Sequence, residues 1–303
     1  MAMNTAMFGN LLEPILKNAF FEKYLSIPSF IGKIFNEIKS EKYQETHLGI
    51  YGGQGFTPFT GTVSREEFGE EYKKVITNVS YSDSFGVTYD MFKDDQYGIM
   101  KQRAAALGRL ARYSKEVLAA SIFNNGFSSA VQSGDGQNLF SASHPIFKGS
   151  VATQSNYTTS ALTRATLATA RATMRRTVDG AGKKIHNVPN LLMVPVELET
   201  QAIEAVDSVY NGTVNQAGAV PDYTSNAVKT YNIEVFANPF LDDANNWFLL
   251  NTELTKDFLI WQNREPLRLI ASEDADSLIL RETGYYRVGV GATDWRGCFG
   301  ANV

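Results

Sequence analysis

The sequence predicts a mixed α+β protein, and three patterns support this prediction. Apolar and polar residues alternate over 75–91, which is typical of β-strands. Apolar residues then recur every three or four positions over 94–123, which predicts a single long helix. Further on, a helical pattern from Thr163, a short apolar strand at 191–196 and a second helical pattern at 197–209 indicate an α/β subdomain.

The N-terminal region predicts two short helices. Apolar residues at helical spacing over 11–38 are interrupted near Pro28, which cannot continue a helix. We expect these helices to form an arm or bracing element over 1–40. The stretch 47–61 that follows holds five glycines, so we expect a turn-rich extended segment with a flexible tip.

The alternating segment 75–91 is long for a compact protein. A straight strand of this length spans roughly 55 Å, whereas a compact chain of 303 residues has a diameter of about 50 Å. We therefore expect either a bend at 82–84 or a hairpin that projects and pairs with the glycine-rich segment. A two-stranded ribbon is marginal alone, so a neighbouring subunit should cover its apolar side. The residues predicted for that intersubunit contact are Phe56, Phe59, Val79, Tyr81, Phe85 and Val87.

The polar side of the predicted long helix is basic. Lys101, Arg109, Arg112 and Lys115 all fall outside its apolar stripe. This pattern fits either a solvated face or an interior face turned toward nucleic acid. After the helix, 125–160 forms a long connection with few charges, and further strands are predicted at 233–236, 247–250, 258–261 and 278–290.

Composition excludes several functional classes. Lys and Arg number 28 against 32 Asp and Glu, so a protein that wraps nucleic acid with its whole surface is disfavoured. One cysteine, Cys298, rules out an intrachain disulfide, and the three histidines have no metal-ligand spacing. We expect no metal and no cofactor. The sequence shows neither a signal peptide nor an apolar run of membrane-spanning length, so we expect no membrane association.

One enzymatic alternative stays open at this stage. Ser143 and His144 are neighbours and could serve a serine hydrolase, although no GxSxG motif is present and Pro145 favours an extended turn. In the other interpretation, His144 makes a structural hydrogen bond that pins its loop. The motif Gly289-Val-Gly291 lacks a following helix, so we interpret it as a strand with small residues rather than a dinucleotide site.

Four segments, in their order and spacing, resemble the Mu-like phage major head subunit family. They read LFSASHP at 139–145, LLMVPVEL at 191–198, NPFL at 238–241 and YYRVGVGATDWRGCF at 285–299. The resemblance covers most of the chain from about residue 40. Val196 departs from it, because such proteins often carry a second proline there.

The resemblance implies the Hong Kong 97-type capsid fold. The N-terminal arm would occupy 1–40 and a projecting E-loop 41–92. A P-domain with a long spine helix would occupy 93–160, with the helix itself at 94–124. An A-domain would follow at 161–259, and strands returning to the P-domain at 260–303.

The same resemblance implies a structural function and not an enzymatic one. Copies of the chain would form hexamers and pentamers of an icosahedral shell around double-stranded DNA, touching the DNA by weak, non-specific contacts. Further partners would be a separate scaffold protein, a portal and decoration proteins. Assembly would take place in the host bacterial cytoplasm. A nanocompartment shell protein of the same fold is the alternative within this class.

Overall fold

The computed structural model describes residues 5–52, 59, 68–88, 90, 91, 94, 97–209, 225–274 and 279–303. Helices and strands are both present, as predicted. The helices are α1 (Thr5–Ser26), α2 (Ile31–Ile34), α3 (Tyr97–Asn124), α4 (Arg164–Arg176), α5 (Glu199–Asp207) and α6 (Thr252–Phe258). The strands are β1 (Asn36–Lys39), β2 (Gln44–Gly52), β3 (Phe68–Thr77), β4 (Val79–Thr88), β5 (His144–Pro145), β6 (Thr153–Gln154), β7 (Tyr157–Thr158), β8 (Leu191–Val194), β9 (Glu234–Ala237), β10 (Trp247–Leu250), β11 (Leu259–Asp274), β12 (Ile279–Ala292) and β13 (Cys298–Ala301).

A four-stranded sheet in the order β1-β11-β12-β4 forms one half of the body. The long hairpin of β11 and β12 is its centre, β1 pairs parallel to β11, and β4 pairs antiparallel to β12 from Val79 to Thr88. Alternate residues of β12 are buried, which matches the period of two in the sequence. Helices α1 and α3 cover this buried face.

Helix α1 packs along the long helix α3. The break at Pro28 is as predicted, but Ile38 lies in β1 and not in a helix. Leu16, Ala19 and Phe20 on α1 are buried against α3 and the sheet. The close approach depends on Gly108 in α3, because a Cβ there would overlap the carbonyl oxygen of Phe20.

A second sheet of five strands, in the order β7-β13-β10-β8-β9, forms the other half. Helices α4 and α5 cover one of its faces with Leu167, Met174 and Val206. The helix–strand–helix pattern at 163–209 is therefore confirmed. Strand β13 pairs with β10 and β7, so 298–301 belong to this sheet and not to the sheet of β11 and β12.

The two halves share one apolar core. Phe35 on the N-terminal side, Phe123 of α3, Phe248 of β10 and Trp261 of β11 belong to a single buried cluster. Ring pairs with centroid separations of 5.4 to 6.3 Å connect them.

Candidate functional site

Among the described residues, β2 and β3 pair only with each other and form a two-stranded ribbon. Their antiparallel register runs from Gln44–Thr77 to Gly52–Phe68. The ribbon ends at Asn78, and the chain continues as β4 in the body sheet. Of the two alternatives for 75–91, the bend at 82–84 is wrong, because β4 runs unbroken through these residues.

The predicted contact residues on β4 therefore lie in the body and not on the ribbon. Val87 is 0% exposed and packs with Leu16, Met100 and Leu280 of its own chain. Its assignment to an intersubunit contact is wrong, because α1, α3 and β12 already bury it.

Tyr81 and Phe85 are likewise held by their own chain. The Tyr81 ring stacks on Tyr286 with 5.2 Å between centroids. Phe85 is partly buried against the clusters of α1 and α3. The sequence predicts that a neighbouring subunit covers these side chains, but Tyr286 and the clusters of α1 and α3 already cover part of their surface.

The remaining predicted contact residues differ in position. Val79, at the start of β4, is 49% exposed and Phe59 is 75% exposed. Phe56 lies outside the described residues. On the ribbon, Leu48 and Val75 share one face and are also exposed, although the prediction did not include them.

The opposite face of the ribbon is attached to the body at its root. Ile76 is buried, and the Nζ atom of Lys74 donates to the Gln132 carbonyl oxygen at 2.6 Å. Burial lowers the pKa of Lys74, and the charge of Asp135 opposes this shift. The Nε2 atom of His47 lies 2.7 Å from Nε2 of Gln262.

Asn78 joins the two ends of the ribbon. Its Nδ2 atom donates to Ser40 Oγ at 2.7 Å and to the Lys42 carbonyl oxygen at 2.9 Å. Its backbone N–H donates to the Tyr43 carbonyl oxygen at 2.9 Å. These bonds replace the strand ladder where the chain passes from β3 to β4, and they fix the root of the ribbon.

The motif Gly289-Val-Gly291 is where the ribbon root crosses β12. A Cβ on Gly289 would lie 2.9 Å from the Thr77 carbonyl oxygen, and one on Gly291 would lie 2.9 Å from the Ile76 side chain. Both glycines are needed for this close approach. The sequence carried the signal, since glycine in a strand marks a place where another backbone comes near, but it did not say which segment approaches.

The four residues of the predicted basic face of α3 fall into two groups, one covered and one exposed. Lys115 donates to the Tyr24 hydroxyl at 3.1 Å, and the Arg112 guanidinium lies 4.1 Å from the centre of the Tyr24 ring. The prediction that these two residues form an interior basic face is wrong, because the end of α1 covers them. Lys101 and Arg109 are exposed, and their role remains a prediction.

The His144 loop is built around a buried imidazole. Nδ1 of His144 lies 2.6 Å from Oδ2 of Asp135, and Nε2 lies 3.1 Å from Oδ1 of Asn156. The ring stacks on Trp295 with 4.4 Å between centroids. Burial raises the pKa of Asp135, but hydrogen bonds from His144 and Ser133 outweigh it and hold this pKa below the usual value.

This geometry removes the hydrolase alternative. Within the described part of the chain, each nitrogen of His144 is engaged by a residue other than serine. The Ser143 hydroxyl is exposed and lies 3.5 Å from that of Ser141. His144 therefore joins the loop to the C-terminal segment, which is the structural role considered from sequence.

The described residues offer neither a metal site nor a membrane-spanning helix. No group of three His, Cys, Asp or Glu side chains there could hold a metal ion. No helix in the same ranges is long and apolar enough to cross a membrane.

The family is decided by a match over most of the chain. Residues 71–301 match the family model described as phage capsid protein. The chain belongs to the phage capsid protein family. It is a structural protein that forms a virion shell, and it is not an enzyme.

Solved structures show the same fold at low sequence identity. The procapsid subunit of bacteriophage JBD30 is 16% identical, with a TM-score of 0.55 over 99% of this chain and 76% of that one. A capsid chain of cyanophage P-SCSP1u is 10% identical, with a TM-score of 0.55 over 90% of this chain and 88% of the other. A chain of Mycobacterium phage Patience is 14% identical, with a TM-score of 0.54 over 98% and 87%. No curated protein matches the sequence. The phage capsid protein thus has the Hong Kong 97-type fold.

Proposed function

We propose that this chain is the major head subunit of a Mu-like phage. In this proposal it assembles in the host bacterial cytoplasm into hexamers and pentamers that enclose double-stranded DNA. The ribbon of β2 and β3 corresponds to the E-loop, α3 to the spine helix and the five-stranded sheet with α4 and α5 to the A-domain. The order of the four motifs from 139 to 299 supports the Mu-like assignment.

The ribbon carries the proposal that neighbouring copies bind each other. Leu48 and Val75 expose apolar surface on the ribbon, which pairs with no other strand among the described residues. Phe59, which lies between β2 and β3 in sequence, is also exposed. Such a surface is stable in water only when another surface covers it. In a shell of identical subunits, the nearest surface is an adjacent copy of the chain.

Other partners in this proposal come from the resemblance. A separate scaffold protein, a portal and decoration proteins would complete the particle. A decorated capsid of bacteriophage JBD30 is among the similar structures, with 17% identity and a TM-score of 0.53 over 71% of this chain and 92% of the other. Lys101 and Arg109, two exposed basic residues of α3, would contact DNA weakly and without sequence preference.

The ribbon is tested by substituting its exposed apolar residues. The variant Leu48→Ser with Phe59→Ser should keep its circular dichroism spectrum and thermal midpoint, because both side chains are exposed in the single chain. Particle yield in negative-stain microscopy should fall at least about tenfold, since every interface in the shell loses apolar contact at once.

The matched control is Val87→Ala. It removes a side chain that the chain itself buries, so the free energy of unfolding should fall by roughly 1–3 kcal/mol. Normal particle yield from the Leu48 and Phe59 variant would contradict the proposed ribbon contact. Nuclease-protected DNA in particles from infected cells would separate a phage head from a nanocompartment.

A further inference from the structure

Two buried amide oxygens at the ribbon root lack a hydrogen-bond donor in the described part of the chain. They are Oδ1 of Asn78 and Oε1 of Gln262, whose residues are 2% and 0% exposed. Both converge on the same place, since a Cβ on Gly289 would lie 2.9 Å from the first and 3.1 Å from the second. A buried acceptor without a donor is unfavourable, and here two acceptors face the same small region.

The other end of the Gln262 amide contacts His47. The two Nε2 atoms are 2.7 Å apart. In this arrangement the Gln262 amide donates and the imidazole accepts, so His47 is neutral and carries its hydrogen on Nδ1. The orientation of the amide and the tautomer of His47 are therefore coupled.

A half-turn of the Gln262 amide exchanges its nitrogen and its oxygen. The NH₂ group would then occupy the region beside Gly289 that also holds Asn78 Oδ1 and the Thr77 carbonyl oxygen. The oxygen would point to His47 and accept a hydrogen from its Nε2. Protonated imidazole carries hydrogen on both nitrogens, so His47 in that state can bond Gln262 only in the rotated form.

We propose that protonation of His47 rotates the Gln262 amide and thereby locks the ribbon to the body through Asn78. Asn78 already bonds Ser40 and Lys42 where the ribbon enters. A bond from Gln262 to its free oxygen adds the central strand β11 to this junction. The lock acts within one chain and goes beyond the proposed function, because it does not depend on shell formation.

The groups around His47 set the pH range of this lock. Burial lowers the pKa of His47, and the charge of Glu45 on the same strand opposes the shift. Lys74 lies opposite on β3. A cavity of about 470 Å³ gives His47 access to solvent and is also lined by charged groups of the neighbouring segments: Asp135, Asp257, Asp294 and Arg296. Of these, Asp135 is bonded to His144 and Asp294 to Arg296. The transition should fall below pH 6.5.

The first test is nuclear magnetic resonance of the full chain labelled with ¹⁵N-histidine. The chain holds three histidines, so His47→Gln and His186→Gln identify the signals. At pH 7.5 we expect His47 to carry its hydrogen on Nδ1, and on the acid side of its transition we expect hydrogen on both nitrogens. A hydrogen on Nε2 at pH 7.5 would overturn the proposal, because the amide would then already be rotated.

The second test is hydrogen exchange of the Asn78 backbone N–H. After correction for intrinsic exchange, protection should rise about fivefold as pH falls from 7.5 to below the His47 transition, the change that one net hydrogen bond gives. His47→Gln and Gln262→Met should abolish this rise, whereas the exposed His186→Gln should retain it.

Equal protection at both pH values in the unmodified chain would also overturn the lock. If Gln262→Met does not fold, the tautomer of His47 in the unmodified chain still tests the proposal. Either failure leaves the shell proposal intact, because particle formation is scored separately by microscopy.

Discussion

Glu282 is a carboxylate buried between the four-stranded sheet and α1. Its residue is 0% exposed, and neither side-chain oxygen has a hydrogen-bond partner in the described structure. Burial, and then the charge of Glu13, raises the pKa of Glu282 to about 7, while Lys17 opposes the shift. The helix α1 is therefore docked over a group that loses its proton near neutral pH.

This position predicts a fall in stability as pH rises. Folded Glu282 binds a proton more tightly than the unfolded residue, whose pKa is 4.5. The stabilisation from this tighter proton binding is complete below pH 4.5 and is lost as pH rises to about 7. The loss in the free energy of unfolding is about 3 kcal/mol, at 1.36 kcal/mol per pKa unit. In urea unfolding, the Glu282→Gln variant should lack this loss and should be more stable than the unmodified chain at pH 8. The control is Glu265→Gln, in the partly exposed pair with Arg268, which should change the stability little. If Glu282→Gln and the unmodified chain show the same pH profile, Glu282 is not the cause.

The buried pair of Asp135 and His144 predicts the opposite pH dependence. The pKa of Asp135 lies below its ordinary 3.8, so its stabilisation is complete above pH 3.8 and is lost as pH falls through the folded value. Asp135→Asn should lower the free energy of unfolding by about 3 kcal/mol at pH 7, because it breaks a buried pair. The difference in the free energy of unfolding between Asp135→Asn and the unmodified chain should become smaller at acid pH. The exposed Asp83→Asn is the control, and an equally stable Asp135→Asn at pH 7 would refute the assignment.

At the level of elements, the contact between α1 and α3 depends on one glycine. Gly108→Ala places a methyl group against the backbone of Phe20, and backbone cannot move aside as a side chain can. We expect the free energy of unfolding to fall by about 1–3 kcal/mol, and α1 to become more accessible to proteolysis.

Gly98→Ala in the same helix is the matched control. Nothing lies within 4 Å of a Cβ at Gly98, so helix propensity alone should act and the stability should stay equal or rise by up to about 1 kcal/mol. If both variants behave alike, close packing at Gly108 is not what holds α1.

At the level of the whole molecule, the exposed ribbon predicts self-association. We expect the purified chain to form rings, tubes or larger particles as its concentration rises, because strand edges and apolar side chains of the ribbon need a partner. Light scattering coupled to size exclusion measures this directly. A stable monomer across micromolar concentrations would contradict it.

The sequence by itself determined the elements whose pattern is periodic and local. The long helix, the α/β subdomain and the alternating strands follow from spacings of 3.6 and 2, which depend on each segment's own buried face. The four motifs carried the family resemblance in the same way. The sequence also indicated a structural role for His144, since no nucleophile motif accompanied it.

Tertiary structure decided which segments meet. Alternation over 75–91 shows that one face is buried but not what buries it. Val87 and Tyr81 therefore looked like surface for a neighbour, although α1 and α3 bury Val87 and Tyr286 stacks on Tyr81. The break at Asn78 depends on hydrogen bonds to residues about 40 positions away in sequence. Arg112 and Lys115 appeared as a free basic face because helical spacing does not reveal a Tyr24 that arrives from another helix.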